Sequence, residues 1–359
     1  MMQKLLSIAL ISIAATALST GAIAKNPSKR PATANRTTEP TGTPYARRAD
    51  AMRFADDLAE RRDLDREWVR QAIGQARFLA QVPRLVLPPA KGTAKNWQAY
   101  RSRFIEPVRI RAGVRFWQDH GAALARAERE YGVPAEIIVG IIGVETIYGQ
   151  HMGNFRVMDA LATLAFDFPA EHPRAQERAA FFQRELEQFL SLMHRTNTDP
   201  FEPRGSYAGA MGLGQFMPSS WVRYAVDFDR DGHIDLYGNA QDAIGSVANY
   251  FIAHGWTPGM PTHFGVRPEG STAQTDELLA PDILPTFSAA SMQARGAVLD
   301  EAGARYTGPL ALVELQNGDN PPSYVAGTEN FYAITRYNWS SYYAMAVIGL
   351  GQAVAAARR

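Results

Sequence analysis

Cysteine is absent from the chain. No disulfide can brace the fold, no thiolate can ligate a metal, and no acylated lipoprotein cysteine can anchor the protein. A long enough apolar run is missing as well. The N-terminal stretch 5–18 is interrupted by Ser and Thr and falls short of the about 20 apolar residues that a membrane anchor needs. Several catalytic signatures are lacking: there is no G-x-S-x-G, no G-x-x-x-x-G-K and no H-E-x-x-H, so serine-hydrolase, P-loop and zincin readings find no support. The seven histidines are scattered. Excess charge is also absent, with a formal net charge of +1.

What is present begins with a leader. Lys4 supplies a positive n-region, the apolar run follows, and Ala22-Ile23-Ala24 fits a small-x-small cleavage site. A secretory signal peptide over 1–24 is expected, and with it a periplasmic protein that has no membrane span in its mature form. Residues 25–48 carry six Lys/Arg against one acid and lack aliphatic periodicity. They read as a flexible linker, with a loose electrostatic tether to anionic wall or lipid as the alternative. The body from Ala49 onward then holds 30 Lys/Arg against 35 Asp/Glu, a mildly acidic balance that argues against nucleic-acid binding.

Apolar residues at three- and four-residue spacing predict helices from 49 to 131. Gly132-Val133-Pro134 breaks the pattern, and Pro134 suits the start of a new helix. The next segment, 135–148 (AEIIVGIIGVETIY), is apolar on all sides, which predicts a buried central helix. Two helices are expected within 155–195, a short one from Pro218, another ending at Gly255, and a last one over 341–357. Between 256 and 330 Gly and Pro become frequent, and the runs 310–315 and 331–334 read as strands.

Glu145 is the one acid in 137–147. Burial among Ile and Val raises a carboxyl pKa, and the negative end of the helix dipole adds to the effect. Both favour the protonated form that a general acid needs. The alternative is a structural glutamate paired with a base such as Arg156.

The neighbours of Glu145 carry more. Residues 143–149 (GVETIYG) are followed by 154–165 (NFRVMDALATLA), 206–220 (SYAGAMGLGQFMPSS) and 335–347 (TRYNWSSYYAMAV). Together, over roughly residues 50–355, these resemble the lytic murein transglycosylase B family. The resemblance implies a mainly α (α+β) protein: a lysozyme-like catalytic core over 132–256, an α-helical domain over 49–131, a small β-rich region over 257–330, and a C-terminal segment, 331–359, that returns to the core. It implies cleavage of the MurNAc–GlcNAc bond of peptidoglycan with 1,6-anhydromuramoyl ends, and Glu145 as acid and then base. Asp159 and Asp167 are the acids near in sequence that a hydrolase would use instead. Ser206, Gln215, Tyr250, Tyr337, Asn338 and Tyr343 match positions of the family's cleft. Tyrosine suits a sugar site because its ring packs on apolar sugar faces while its hydroxyl finds polar partners. Two departures stand out: the chain has Asp167-Phe168-Pro169 where a tyrosine usually follows the Asn/Asp, and a longer segment over 170–179.

The segment Asp227-Phe228-Asp229-Arg230-Asp231-Gly232-His233 opens like an EF-hand loop, in which alternate carboxylates converge on one hard cation. The expected ligands are Asp227, Asp229, Asp231 and the backbone carbonyl of His233. Position 12 is Gly238 where a glutamate is expected, so closure falls to the later Asp242, as the family resemblance implies. Asp242 also reads as a helix N-cap. The expected ion is structural Ca2+, with Na+ or an empty loop as alternatives, and no catalytic cofactor is expected. The partners expected are peptidoglycan glycan strands, met by a monomer, with cell-wall enzyme complexes left open. A hydrolytic muramidase on the same fold and a non-catalytic wall-binding protein are the rival readings.

Overall fold

The computed structural model describes residues 42–88 and 95–359. The expected signal peptide, and the linker up to residue 41, lie outside the described residues. The last seven residues assigned to that linker do not behave as one. Pro44 pairs with Arg77, Tyr45–Arg47 form a 3-10 turn, and Tyr45 is 2% exposed. Its ring has a place in the core and its hydroxyl has Asp167, which outweighs the polar composition around it.

The first elements are helices α1 (Ala49–Arg62), α2 (Arg66–Gln75) and the short α3 (Val82–Leu85). Next come α4 (Trp97–Phe104), α5 (Pro107–Asp119) and α6 (Gly121–Tyr131). Side-chain caps fix several starts: Asp65 accepts from Trp68 N, Asn96 from Ala99 N, and Glu106 from Val108 N and Arg109 N, with Pro107 at the first position. Gly132 ends α6 at φ 66°.

Helix α7 (Ala135–Thr146) is the centre of the largest buried cluster, which holds Ile137, Ile138, Ile141 and Ile142. Each of these side chains contributes about 1.5–3 kcal/mol by leaving water. Helix α8 (Val157–Phe166) and the 22-residue α9 (Ala175–Thr196) follow, with a two-stranded ribbon of β1 (Phe155–Arg156) and β2 (Arg204–Gly205). Short α10 (Pro218–Tyr224) and α11 (Ala240–Ala253) complete this part.

The expected helical domain over 49–131 divides between two cores. Residues of α1, α2 and α3 are buried with α8 and α9, whereas Trp97, Phe104, Phe116 and Leu124 of α4–α6 are buried around α7. Apolar spacing marks a buried face on each helix, and each face follows the apolar partner it can reach.

A four-stranded antiparallel sheet, ordered β4-β3-β6-β5, is built from β3 (His263–Pro268), β4 (Ala297–Leu299), β5 (Ala311–Asn317) and β6 (Asn320–Gly327). Helices α12 (Thr272–Leu279), α13 (Ala289–Gln293) and α14 (Glu301–Ala304) cover it. The register Leu312↔Ala326 places both in a third apolar cluster. The strand expected over 331–334 is instead part of helix α15 (Glu329–Tyr337). Thr328 caps it by accepting from Asn330 N and Phe331 N, and Phe331, Ile334 and Thr335 then fall on one buried face.

The last helix, α16 (Ser341–Ala357), crosses α7 at close range. A Cβ added at Gly140 would lie 2.3 Å from the Val347 carbonyl oxygen, and one at Gly351 would lie 2.1 Å from that of Glu136. Only glycine permits this approach, and it carries Tyr343 to Glu145. Among the described residues no helix is long and apolar enough to cross a membrane.

Candidate active site

Glu145 stands on the last turn of α7, partly exposed, in a helix whose buried residues are apolar apart from Thr146. Burial raises its pKa from 4.5 to about 7, and a hydrogen bond from the Tyr343 hydroxyl (2.6 Å to Oε1) works the other way. Arg156 is not its partner: it forms an ion pair with Asp159 at 2.7 Å.

Both alternative acids are committed elsewhere. Asp159 is fully buried and takes hydrogen bonds from the Arg156 guanidinium and from Arg77 N. Asp167 is held by the Tyr45 hydroxyl and by Arg48. Phe168, at one of the departures, stacks on Phe182 with ring centres 5.8 Å apart.

The tyrosines converge more closely than their sequence positions suggested. Tyr343 is 1% exposed, and its ring stacks on Tyr337 at 6.4 Å and 13°. Tyr337 donates to the Gly214 carbonyl. Burial, with Glu145 next, pushes both phenols well above their ordinary value, so they act as donors over the whole physiological range. Tyr250 is a core residue: its hydroxyl donates to Arg336 O at 2.6 Å and its ring stacks on His254. Asn338, at the C-terminal end of α15, is 9% exposed.

The loop of Ser206 and Gln215 is tied to this centre. The Ser206 hydroxyl accepts from Ala208 N and Ala210 N, which holds the turn. Gln215, at φ 51°, donates from Nε2 to Met152 O and to Gly212 O. Thr146, the residue after Glu145, donates to Leu213 O at 2.9 Å. A concavity of about 390 Å³ opens beside Met152 and Leu213, and another of about 200 Å³ beside Ser341 and Tyr342.

Sequence reasoning missed Tyr100. Burial pushes its pKa up to about 12, with Glu145 as the second cause. The spacing Trp97, Tyr100, Phe104 was the available signal, because it puts three aromatics on one face of α4.

At the acidic loop, carboxylate oxygens of Asp227, Asp229 and Asp242 lie within 4.8 Å of one another. Asp242 is fully buried and accepts from Phe228 N and Asp235 N, while Asn239 is the N-cap of α11. Burial raises the Asp242 pKa; the Asn239 amide lowers that of Asp229. Asp231 and His233 are exposed, and the Asp231 carboxylate accepts from His233 N. Oxygen donors from three carboxylates at this spacing are of the type that hard cations take.

A helix-rich, lysozyme-like core that presents a glutamate at a helix end beside the Tyr343 hydroxyl defines a class of glycan-processing proteins. The chain belongs to the transglycosylase SLT domain family, whose model matches residues 46–352. It is 41% identical over 338 residues to the membrane-bound lytic murein transglycosylase B of Escherichia coli K12, covering 88% of this chain and 86% of that protein. Its structure is similar to the catenated lytic transglycosylase SltB1 of Pseudomonas aeruginosa, with a TM-score of 0.79 and 42% identity over 88% of this chain and all of that one. A second similar structure is that of the E. coli lytic transglycosylase Slt35 in complex with calcium, with a TM-score of 0.75 and 42% identity over 90% and 98% of the two chains.

Proposed function

We propose that the protein is a lytic transglycosylase that cleaves the β-1,4 bond between MurNAc and GlcNAc in peptidoglycan and leaves 1,6-anhydromuramoyl ends. The observation that carries this reading is Glu145 at the end of the buried helix α7, its pKa raised by burial to about 7 and its Oε1 accepting a hydrogen bond from the Tyr343 hydroxyl. Near neutral pH it holds a proton for the glycosidic oxygen. Proton transfer lets the C1–O4 bond break, and positive charge develops at C1 of the muramoyl ring. Glu145, now a carboxylate stabilised by the Tyr343 hydroxyl, takes the proton of the sugar's own C6 hydroxyl. The O6 electron pair then closes on C1, so no water is added and no second acid is required.

Tyr343 has a double part in this scheme. As a permanent donor it orients the carboxyl and eases its passage to the charged form. Gln215, with Nε2 engaged by two carbonyls, offers its Oε1 as an acceptor for a glycan hydroxyl or amide. Ser206, Tyr337, Asn338 and Tyr250 support the cleft by holding loop and ring positions. The catalytic core comprises 132–256 together with 331–359.

The similar E. coli protein solved in complex with calcium supports the same ion here. Asp227, Asp229 and Asp242 would hold Ca2+ as a structural brace for the loop, which meets Leu213 through the Leu236 carbonyl. Residues 1–24 serve export to the periplasm, where peptidoglycan lies. Turbidity of purified cell walls tests the reading: the chain clears the suspension, and Glu145→Gln leaves it unchanged. Clearing by a folded Glu145→Gln variant would refute the single-acid scheme.

A further inference from the structure

The turn that follows α7 is made of residues that rarely take up its backbone. Ile147, Tyr148 and Gly149 have φ values of 51°, 56° and 89°. Glycine accepts the left-handed region freely, whereas a β-branched isoleucine is an outlier there. Two such residues in succession persist only where their surroundings over-determine them, and backbone strain of this kind clusters at functional sites.

The surroundings that hold the turn are visible. The Tyr148 ring packs on Phe116 of α5 with centres 5.1 Å apart. Its hydroxyl fits a slot left by two glycines: a Cβ at Gly113 of α5 or at Gly143 of α7 would come within 2.4 Å of it. That hydroxyl is buried and has no hydrogen-bond partner among the described residues, so the wedge acts through the shape of the ring and not through a polar bond. Thr146 Oγ1 ties the turn a second time, accepting from Gly149 N and donating to Leu213 O. Gln215 ties it a third time at Met152 O. Ile147, by contrast, lies outside the buried clusters, so packing of its own side chain does not explain its conformation.

Glu145 precedes this turn, and among the described residues its one side-chain hydrogen-bond partner is Tyr343. The direction of its carboxyl therefore depends on where the last turn of α7 ends. We propose that the left-handed pair Ile147–Tyr148 is a positioning element for Glu145, with Tyr148 wedged between α5 and α7 to keep the carboxyl on the Tyr343 hydroxyl. This rests on the assignment of Glu145 as the acid. Neither residue touches the reacting atoms; both act through the helix end.

The test uses the full chain on purified sacculi, with kcat, KM, the pH profile of kcat and the melting temperature measured together. Ile147→Gly relieves strain but frees the turn. It is expected to keep or raise the melting temperature, to lose at least tenfold in kcat with KM changed less than threefold, and to displace the basic limb of the pH profile. Ile147→Asn accepts the left-handed region while remaining less free than glycine, and should restore kcat to within threefold of the parent. Tyr148→Phe keeps the ring and should lose less than threefold, whereas Tyr148→Leu should lose at least tenfold. A parental kcat and pH profile in Ile147→Gly would overturn the inference, and so would equal losses in Tyr148→Phe and Tyr148→Leu. Glu145→Gln runs as the control: activity there sinks the assignment of Glu145 itself. An inactive control beside a fully active Ile147→Gly sinks only the positioning role.

Discussion

Replacing Glu145 by glutamine should abolish cleavage and, at the same time, stabilise the protein above neutral pH. A glutamate in the unfolded chain titrates near 4.5, and in the fold burial moves Glu145 to about 7. Between these values the folded protein holds a proton that the unfolded chain has released, so stability falls as pH rises through the window. At 1.36 kcal/mol per unit the cost reaches about 3 kcal/mol at and above pH 7. The partial exposure of the side chain makes this an upper bound, since water screens part of the charge. Glutamine has no charge to bury and still offers Oε1 to the Tyr343 hydroxyl. The variant should therefore match the parent below about pH 4.5 and exceed it by up to roughly 5 °C in melting temperature at pH 8. Thermal unfolding of both proteins from pH 4 to 9, followed by circular dichroism, is the assay. A difference that stays constant across that range, or a parent that gains stability on Glu145 relative to glutamine as pH rises, would refute the burial argument.

Further outcomes follow from neighbouring contacts. Tyr343→Phe removes a bond that favours the carboxylate, so Glu145 should titrate higher by about 1–2 units and the basic limb of the kcat profile should move up with it; a downward or absent move contradicts the contact. Arg156→Ala leaves the fully buried Asp159 without its counter-charge and should cost roughly 3 kcal/mol in urea denaturation while leaving the pH profile of kcat in place. Millimolar Ca2+ should raise the melting temperature of the parent but not of Asp242→Asn; equal rises in both would remove the ion from this loop.

Much of the centre was legible in the chain because it depends on local chemistry. An acid among isoleucines announces itself wherever the helix ends, and the break at Gly132-Val133-Pro134 follows from residue type. The Tyr343–Glu145 bond was not legible as geometry, for it joins residues 198 apart and depends on the glycine-permitted crossing of α7 and α16. The run at 331–334 misled because Phe, Tyr and Ile favour strands in isolation, while the Thr328 cap and a buried helical face decide otherwise. The burial of Asp242, held by the backbone N–H groups of Phe228 and Asp235, was not legible, because it depends on how the loop folds back on α11, which spacing alone does not specify. The division of the first helices between two cores was hidden for a similar reason, since amphipathic periodicity marks a buried face without naming its partner.

The central claim is that one acid at Glu145 serves both halves of the reaction, with the sugar's own hydroxyl as the nucleophile. Mass spectrometry of muropeptides released from purified sacculi tests it most directly. The account predicts products whose muramoyl ends are one water lighter than reducing ends, formed by the parent and absent with Glu145→Gln. Reducing-end products, carrying the added water, would contradict it and make the protein a hydrolase.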